Sequence, residues 1–442
     1  MDKNVGTIYV DCTNTVFTGL NTGIQRVVRN IIQRIRIDNY VENTRLVSVV
    51  AVMGEFYKFN ADISQTFFWT NTLSNILAKG RNFLNYLFMN KHSNGDWPVD
   101  IVHSKPDASD VHGTAVHFSR KIIPRMFKLA YRADGIIVGE KIRFNKNDVL
   151  FVSDAFWKES LIKSLSNIND TDIKLIMLIY DLFPVTNPEL VDSVHQKNFV
   201  QCLSKLLNKV QGVISISRSS LSDIEVYFSN TNTDVLLDYF YLGADFSVKG
   251  KISGNIRNGL KTLYESGNNY LAVGTVEPRK NYGYLLDAFH QLWEQDNDIK
   301  LCIVGRVGWL CDDLMRRIET SKEIGKRLYH FADLNDDELA FCYHNSKGVV
   351  FPSKIEGFGL PLVEAMHYGK PVFASDIPVF REIGKDYPIY FDLLDHQSLS
   401  SLILIYEKGQ CNKKIEPQKW LSWDESIDDL LTKLIVMAGK IS

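Results

Sequence analysis

Two carboxylates and two cations are the residues of this 442-residue chain whose spacing points most directly to chemistry. Glu356 and Glu364 stand in an E-x7-E spacing inside Phe351-Pro-Ser-Lys-Ile-Glu-Gly-Phe-Gly-Leu-Pro-Leu-Val-Glu-Ala-Met366. The stretch reads as a buried strand ending near Phe351, a glycine-rich turn, and a helix opening near Pro361. Proline suits a first helical turn, because its missing N–H would be unpaired there anyway. Gly357 and Gly359 let the backbone approach a ligand closely, and free N–H groups at a helix start attract phosphate. Ionised carboxylates only accept hydrogen bonds, which suits gripping the vicinal hydroxyls of a sugar or ribose. Composition alone fits a plainer reading equally well: a tight turn with a surface Glu and a helical one.

The cations are Arg279 and Lys280, in Val273-Gly-Thr-Val-Glu-Pro-Arg-Lys-Asn281, again at the end of an apolar run. An amphipathic helix follows, carried by Tyr284, Leu285, Ala288, Phe289 and Leu292. Adjacent Arg and Lys offer a planar fork plus a point charge, a pairing suited to a diphosphate. A solvated surface pair is the ordinary alternative. The combination is what points to a site, with carboxylates and amides from one segment and cations from the other.

Such groups must be held by a rigid frame, and short apolar, β-branched runs supply it. Ile8–Val10, Val47–Val50, Val149–Val152, Leu175–Ile179 and Val213–Ile216 form one series; Tyr270–Val273, Leu301–Val304, Gly348–Phe351 and Pro371–Phe373 form a second. Runs this apolar predict parallel strands covered by helices on both faces. Ligands of such sheets sit beyond the carboxyl ends of the strands, where both stretches lie. A polar, glycine-rich segment from Asp245 to Asn269 places the domain boundary. The expectation is a first domain over 1–245 with an unusual insertion at about 55–145, a second over 246–420, and a closing helix over 421–442.

Composition excludes several classes. Lys and Arg number 50 against 52 Asp and Glu, for a formal charge of −2, which lacks the basic excess of a nucleic-acid binder. The 45% hydrophobic content fills large cores. Six scattered cysteines without C-x-x-C argue for a reducing compartment and against structural zinc. No apolar run nears the roughly 18 residues a spanning helix needs, and nothing after Met1 reads as a signal peptide. A soluble, cytoplasmic protein is expected. From Phe67 to His92, aromatic residues alternate with Lys79, Arg81 and Lys91; this is either an insertion packing on its own domain or a basic amphipathic surface for an anionic membrane. His112, His117 and His195 are further candidates that carry no pattern of their own.

Together the two stretches, P-S-x-x-E-G-F-G-L-P-x-x-E-A and G-T-x-E-P-R-K-N, resemble family 4 of the retaining glycosyltransferases with the GT-B fold. Supporting similarity lies in Thr22-Gly-Ile-Gln-Arg-Val-Val28, Asp181-Leu-Phe-Pro184, Ser215-Ile-Ser-Arg218, Leu242-Gly-Ala-Asp245 and Leu421-Ser-Trp-Asp-Glu-Ser426. The resemblance implies two Rossmann-like domains with parallel sheets facing across a cleft, and a nucleotide-sugar donor on the second. It implies that Glu364 holds ribose hydroxyls and that Glu356 holds the transferred sugar together with Gly357, Phe358, Gly359 and Leu360. Thr275 lies beside the donor, Arg279 and Lys280 neutralise the diphosphate, and Gly23 and Asp181 stand on the acceptor side. Neither metal nor cofactor is implied. Many members carry Arg at the position of Thr275 and His at that of Tyr180, so no role passes to Tyr180. The motif style is similar to that of bacterial mannosyltransferases of surface polysaccharide, implying GDP-mannose and a lipid-linked O-antigen or capsule-type glycan at the inner face of the membrane. UDP- or dTDP-sugar donors and a non-catalytic sugar-binding subunit stay open. A dinucleotide oxidoreductase is disfavoured, because Gly19-Leu-Asn-Thr-Gly23 has the wrong glycine spacing.

Overall fold

A computed structural model describes residues 5–18, 23–37, 40–41, 44–52, 54–59, 138–168, 173–231, 233–244, 256–265, 267–411, 413 and 415–441. The expected boundary at 245/246, the aromatic-basic stretch Phe67–His92, and His112 and His117 lie outside the described residues. Two compact units emerge: residues 7–148 with 158–173, and residues 1–6, 149–157 and 174–442.

The smaller unit holds β1 (Ile8–Asp11), β2 (Tyr40–Val41), β3 (Thr44–Val52), β4 (Glu55–Phe59) and β5 (Val138–Lys141). β1 and β3 pair in parallel, linked through the helix Gly23–Ile37. That helix buries Val27, Val28, Ile31, Ile32 and Ile35, a stripe at helical spacing. β2, β4 and β5 pair antiparallel, a departure from the all-parallel expectation. The cause is local: β3 and β4 are joined by a link of two residues ending at Gly54 (φ +91°), too short for the crossover that parallel pairing requires. β4 and β5 are the described ends of the expected insertion, and they return to each other as neighbours.

The larger unit carries two runs of parallel strands. In the first, β6 (Val149–Val152), β7 (Lys174–Ile179), β8 (Gly212–Ser215) and β9 (Leu236–Tyr239) lie in that order. The closing helix Trp423–Lys440 opens on a Ser422/Glu425 capping box and buries Leu430, Leu431 and Leu434. It packs along β7–β9, where Lys174 Nζ donates to Ala438 O at 2.9 Å and Ser426 Oγ to Tyr241 O at 2.6 Å. The second is a six-stranded sheet of β10 (Asn269–Val273), β11 (Lys300–Val304), β12 (Leu328–Phe331), β13 (Gly348–Phe351), β14 (Val372–Ser375) and β15 (Ile389–Phe391). Its order is β12-β11-β10-β13-β14-β15, parallel throughout. Tyr270, Leu285, Phe289 and Phe373 are completely buried in its core. Strand order reverses between β10 and β13, the switch point where such sheets open a crevice for ligands. Both chemistry-bearing stretches begin there. No helix among the described residues is long and apolar enough to cross a membrane.

Candidate active site

The turn after β10 is shaped by Pro278 and Asn281. Pro278–Lys280 form a single 3-10 turn, and Asn281 takes a left-handed conformation (φ 56°) before the helix Tyr282–Glu294. The turn after β13 runs from Pro352 to Gly359, whose φ of +99° lies where only glycine is unstrained. The helix Leu360–His367 follows, with Pro361 in its first turn as expected. Lys354 N donates to Arg279 O at 2.8 Å, so the two turns are tied by backbone.

Between them lies a buried ion cluster. Glu356 accepts from Arg279 at 2.5 Å, from Ser353 Oγ at 2.7 Å and from Lys280 Nζ. Arg279 Nε also faces Glu277 at 2.6 Å, and side-chain exposure is only 19% for Arg279, 10% for Lys280 and 8% for Glu356. Burial pushes the Glu356 carboxyl up, but Arg279, Lys280 and the hydrogen bonds from Lys280 and Ser353 outweigh it and hold it at about 2. Burial pulls Lys280 below the usual lysine range, with Glu356 resisting. Burial also works against the Arg279 charge, yet Glu356, Glu277 and Asp181 raise it further into its charged form. The cluster thus gathers Arg279 and Lys280 with Glu356 and Glu277 largely out of water, where charges interact more strongly than in bulk solvent.

Asp181 follows β7 and enters the same field. Burial raises its carboxyl to about 7; Arg279 lowers it, while Glu356 and Glu277 add to the rise. The Phe183 ring, two residues on, stacks 5.3 Å from the Arg279 guanidinium. A Cβ on Gly357 would meet Tyr180 O at 2.7 Å and Asp181 Oδ2 at 3.3 Å, so only glycine lets these turns approach so closely. Tyr180 itself is buried and donates to Ser153 O at 2.8 Å, a structural bond.

The structure therefore brings together Arg279, Lys280, Glu356, Gly357 and Asp181. Glu364 is buried one turn into its helix, where it accepts from Tyr343 OH at 2.8 Å. Phe358 is buried with its ring 6.0 Å from Trp420, and Leu360 is buried at the helix start. Thr275 is half-buried, with Gly308 packed close enough that a Cβ there would meet Thr275 Cγ2 at 2.9 Å. Gly23 opens its helix in the smaller unit and is exposed. His195 stacks on Trp309 at 5.5 Å. Sequence reasoning missed Glu277, Ser353 and Tyr343. Glu277 stood inside a quoted motif, and asking what neutralises a buried Arg279 would have found it. Among the described residues, no group of three or more His, Cys, Asp or Glu side chains is placed to hold a metal ion.

The family model for glycosyl transferases group 1 matches residues 261–416, which span both turns. The serotype-specific mannosyltransferase WbdA of Escherichia coli is 28% identical over 342 residues, covering 74% of this chain and 41% of its own. O-antigen chain mannosyltransferase B of Escherichia coli is 27% identical over 233 residues, 52% of this chain and 60% of its own. The chain thus spans about 40 to 60% of the length of these curated relatives. Among solved structures, Anabaena HepE in complex with UDP and glucose superposes with a TM-score of 0.52 at 14% identity, covering 98% of both chains. Sucrose-phosphate synthase of Thermosynechococcus elongatus gives 0.51 at 14% identity, over 98% of this chain and 96% of its own. The fold is GT-B, and the chain carries a glycosyltransferase domain.

Proposed function

We propose that this chain, with its group 1 glycosyltransferase domain, moves mannose from GDP-mannose onto a glycan acceptor with retention at the anomeric carbon. The acceptor is a lipid-linked O-antigen or capsule-type glycan, met by an enzyme that works in the cytoplasm and touches the inner face of the membrane peripherally. The observation that carries the reading is the pair of buried cations, Arg279 and Lys280, fixed beside Glu356 at the switch point of a parallel sheet. The mannosyltransferase names of the relatives support the choice of sugar.

In this reading the diphosphate binds Arg279 and Lys280, with Thr275 beside it. Glu364 takes the ribose hydroxyls, and Glu356 with Gly357, Phe358, Gly359 and Leu360 takes the mannose. The bond between the anomeric carbon and the diphosphate oxygen breaks, and its electron pair leaves with that oxygen. The acceptor oxygen bonds to the same face of the sugar and passes its proton to a phosphate oxygen. Charge builds on the leaving diphosphate, and preorganised cations out of water stabilise such charge most effectively. Gly23 and Asp181 belong to the acceptor side. In this reading neither a metal ion nor a cofactor beyond the donor takes part.

The test is thermal shift with GDP, UDP, dTDP and ADP, each with magnesium and with EDTA, followed by turnover of the matching mannose, glucose or rhamnose donor. A ligand at about 100 times its Kd stabilises by roughly 2.7 kcal/mol. A GDP shift that survives EDTA, with GDP-mannose turnover, is expected. A shift with UDP or dTDP alone replaces the donor, and no shift at all in folded protein turns the reading to a non-catalytic subunit.

A further inference from the structure

The backbone of the Glu356 turn is unevenly supplied with partners. Gly357, Phe358 and Gly359 are all buried, yet among the described residues none of their N–H groups meets an acceptor. Buried amides without partners are costly and rare, so three together mark a place where something else accepts from them. The carbonyl of the same turn is saturated. Gly357 O accepts from Ser217 Oγ at 2.7 Å and from Ser220 Oγ at 3.0 Å, and both serines are buried. Two donors occupy both lone pairs of that oxygen. Since the C=O and N–H of a trans peptide point in opposite directions, pinning the Gly357 carbonyl turns the Phe358 N–H away from the serines.

The serines are themselves held. Ser217 caps the helix Arg218–Ser229, its Oγ accepting from Ser220 N at 3.0 Å while its proton goes to Gly357. The next two N–H groups, of Arg218 and Ser219, both donate to the Glu382 carboxylate at 2.7 Å. Glu382 lies on the helix Pro378–Gly384, whose Phe380 ring packs so closely under Gly359 that a Cβ there would meet it at 2.9 Å. The turn is therefore gripped at Gly357 by hydroxyls and at Gly359 by a ring.

We infer that Ser217 and Ser220 are positioning residues for sugar transfer, orienting the Gly357–Phe358 peptide so that its N–H faces the transferred sugar. The inference rests on the reading of this turn as the donor site. It separates two jobs: Arg279 and Lys280 meet the diphosphate, while the serines, without touching the donor, set the amide that meets the sugar.

Ser220→Ala is the clean variant, because it removes one donor to Gly357 and leaves the Ser217 cap intact. Ser217→Ala with Ser220→Ala removes both, and Ser217→Thr keeps cap and donor. Turnover of GDP-mannose and calorimetric binding of GDP are measured for each, with melting curves. We expect kcat to fall about fivefold in Ser220→Ala and at least about twentyfold in the double variant, with GDP affinity within about twofold of wild type and Ser217→Thr near wild type. Unchanged kcat in Ser220→Ala, in a wild type that turns over, overturns the inference and leaves the donor reading standing. Equal losses of GDP affinity and kcat also overturn it, by assigning the serines to the general shape of the site. A wild type that binds GDP but no GDP-mannose, or no nucleotide, removes the donor reading and the inference with it.

Discussion

The turn after β13 and the turn after β7 each bring one buried carboxylate toward Arg279, and the two carboxylates end in opposite states. Glu356 receives direct bonds from Arg279, Lys280 and Ser353 and is held at about 2. Asp181 feels Arg279 without pairing to it, shares its surroundings with Glu356 and Glu277, and is raised by burial to about 7. Burial is the largest influence on both. What differs is contact: donors within hydrogen-bond reach overcome desolvation, while a cation already claimed by two other carboxylates does not. The cluster thus keeps one carboxylate as a permanent anion between cations, and leaves its neighbour able to gain or lose a proton near neutrality.

Replacing the anion gives the largest effect. Glu356→Gln leaves Lys280 without its partner and Arg279 with Glu277 alone, a buried imbalance that costs on the order of 3–5 kcal/mol and should lower turnover at least about 100-fold. Its pH signature is specific. A carboxylate whose folded value is depressed to about 2 contributes fully above the ordinary value of 4.5 and loses that contribution as pH falls toward 2. Melting curves of wild type and variant should therefore converge between pH 5 and about 2.5; a constant gap would break the contrast.

Gly357→Ala strikes the contact between the two turns. Its Cβ would lie 2.7 Å from Tyr180 O, a backbone atom that yields little. A loss of about 1–3 kcal/mol is expected, as for other overpacked sites, with kcat falling more than GDP affinity. Stability equal to wild type in urea titrations would mean that the turns are free to separate.

Asp181→Asn has the opposite sign. A carboxyl raised to about 7 in the fold binds its proton more tightly there than in the unfolded chain, so stability is fully present below its ordinary 3.8 and drains away as pH rises to about 7. The amide cannot ionise, so the variant should match wild type near pH 4 and exceed it by on the order of 4 kcal/mol at pH 8. Urea titrations at pH 4, 6 and 8 check this, and a variant weaker than wild type at pH 8 would show that the ionised form is the one the fold prefers.

Much of the frame was legible in advance because it is local. Strands such as Leu271–Val273 and Val349–Phe351 are apolar on both faces, and that alone marks them as central strands of a covered parallel sheet. Pro361 inside the first turn and Gly359 just before it announce the helix start. The antiparallel β4 was less legible: its residues alternate weakly, and only the short link after β3 decides its direction. Ser217 was quoted within a motif, but nothing in Ser-Ile-Ser-Arg says that its hydroxyl serves a glycine 140 residues away.

By itself, the amino-acid sequence determined which residues stand at strand ends, which turns need glycine, and that two cations and two carboxylates follow the ends of apolar strands. Those properties depend on neighbours a few positions apart, where periodicity and backbone sterics act. The tertiary structure alone decided that both cations meet Glu356, 77 and 76 positions along the chain, that Glu364 bonds Tyr343 instead, and that Asp181 is left near neutrality. Charge pairing and desolvation depend on distance through space and on who else is within reach, and chain order carries neither.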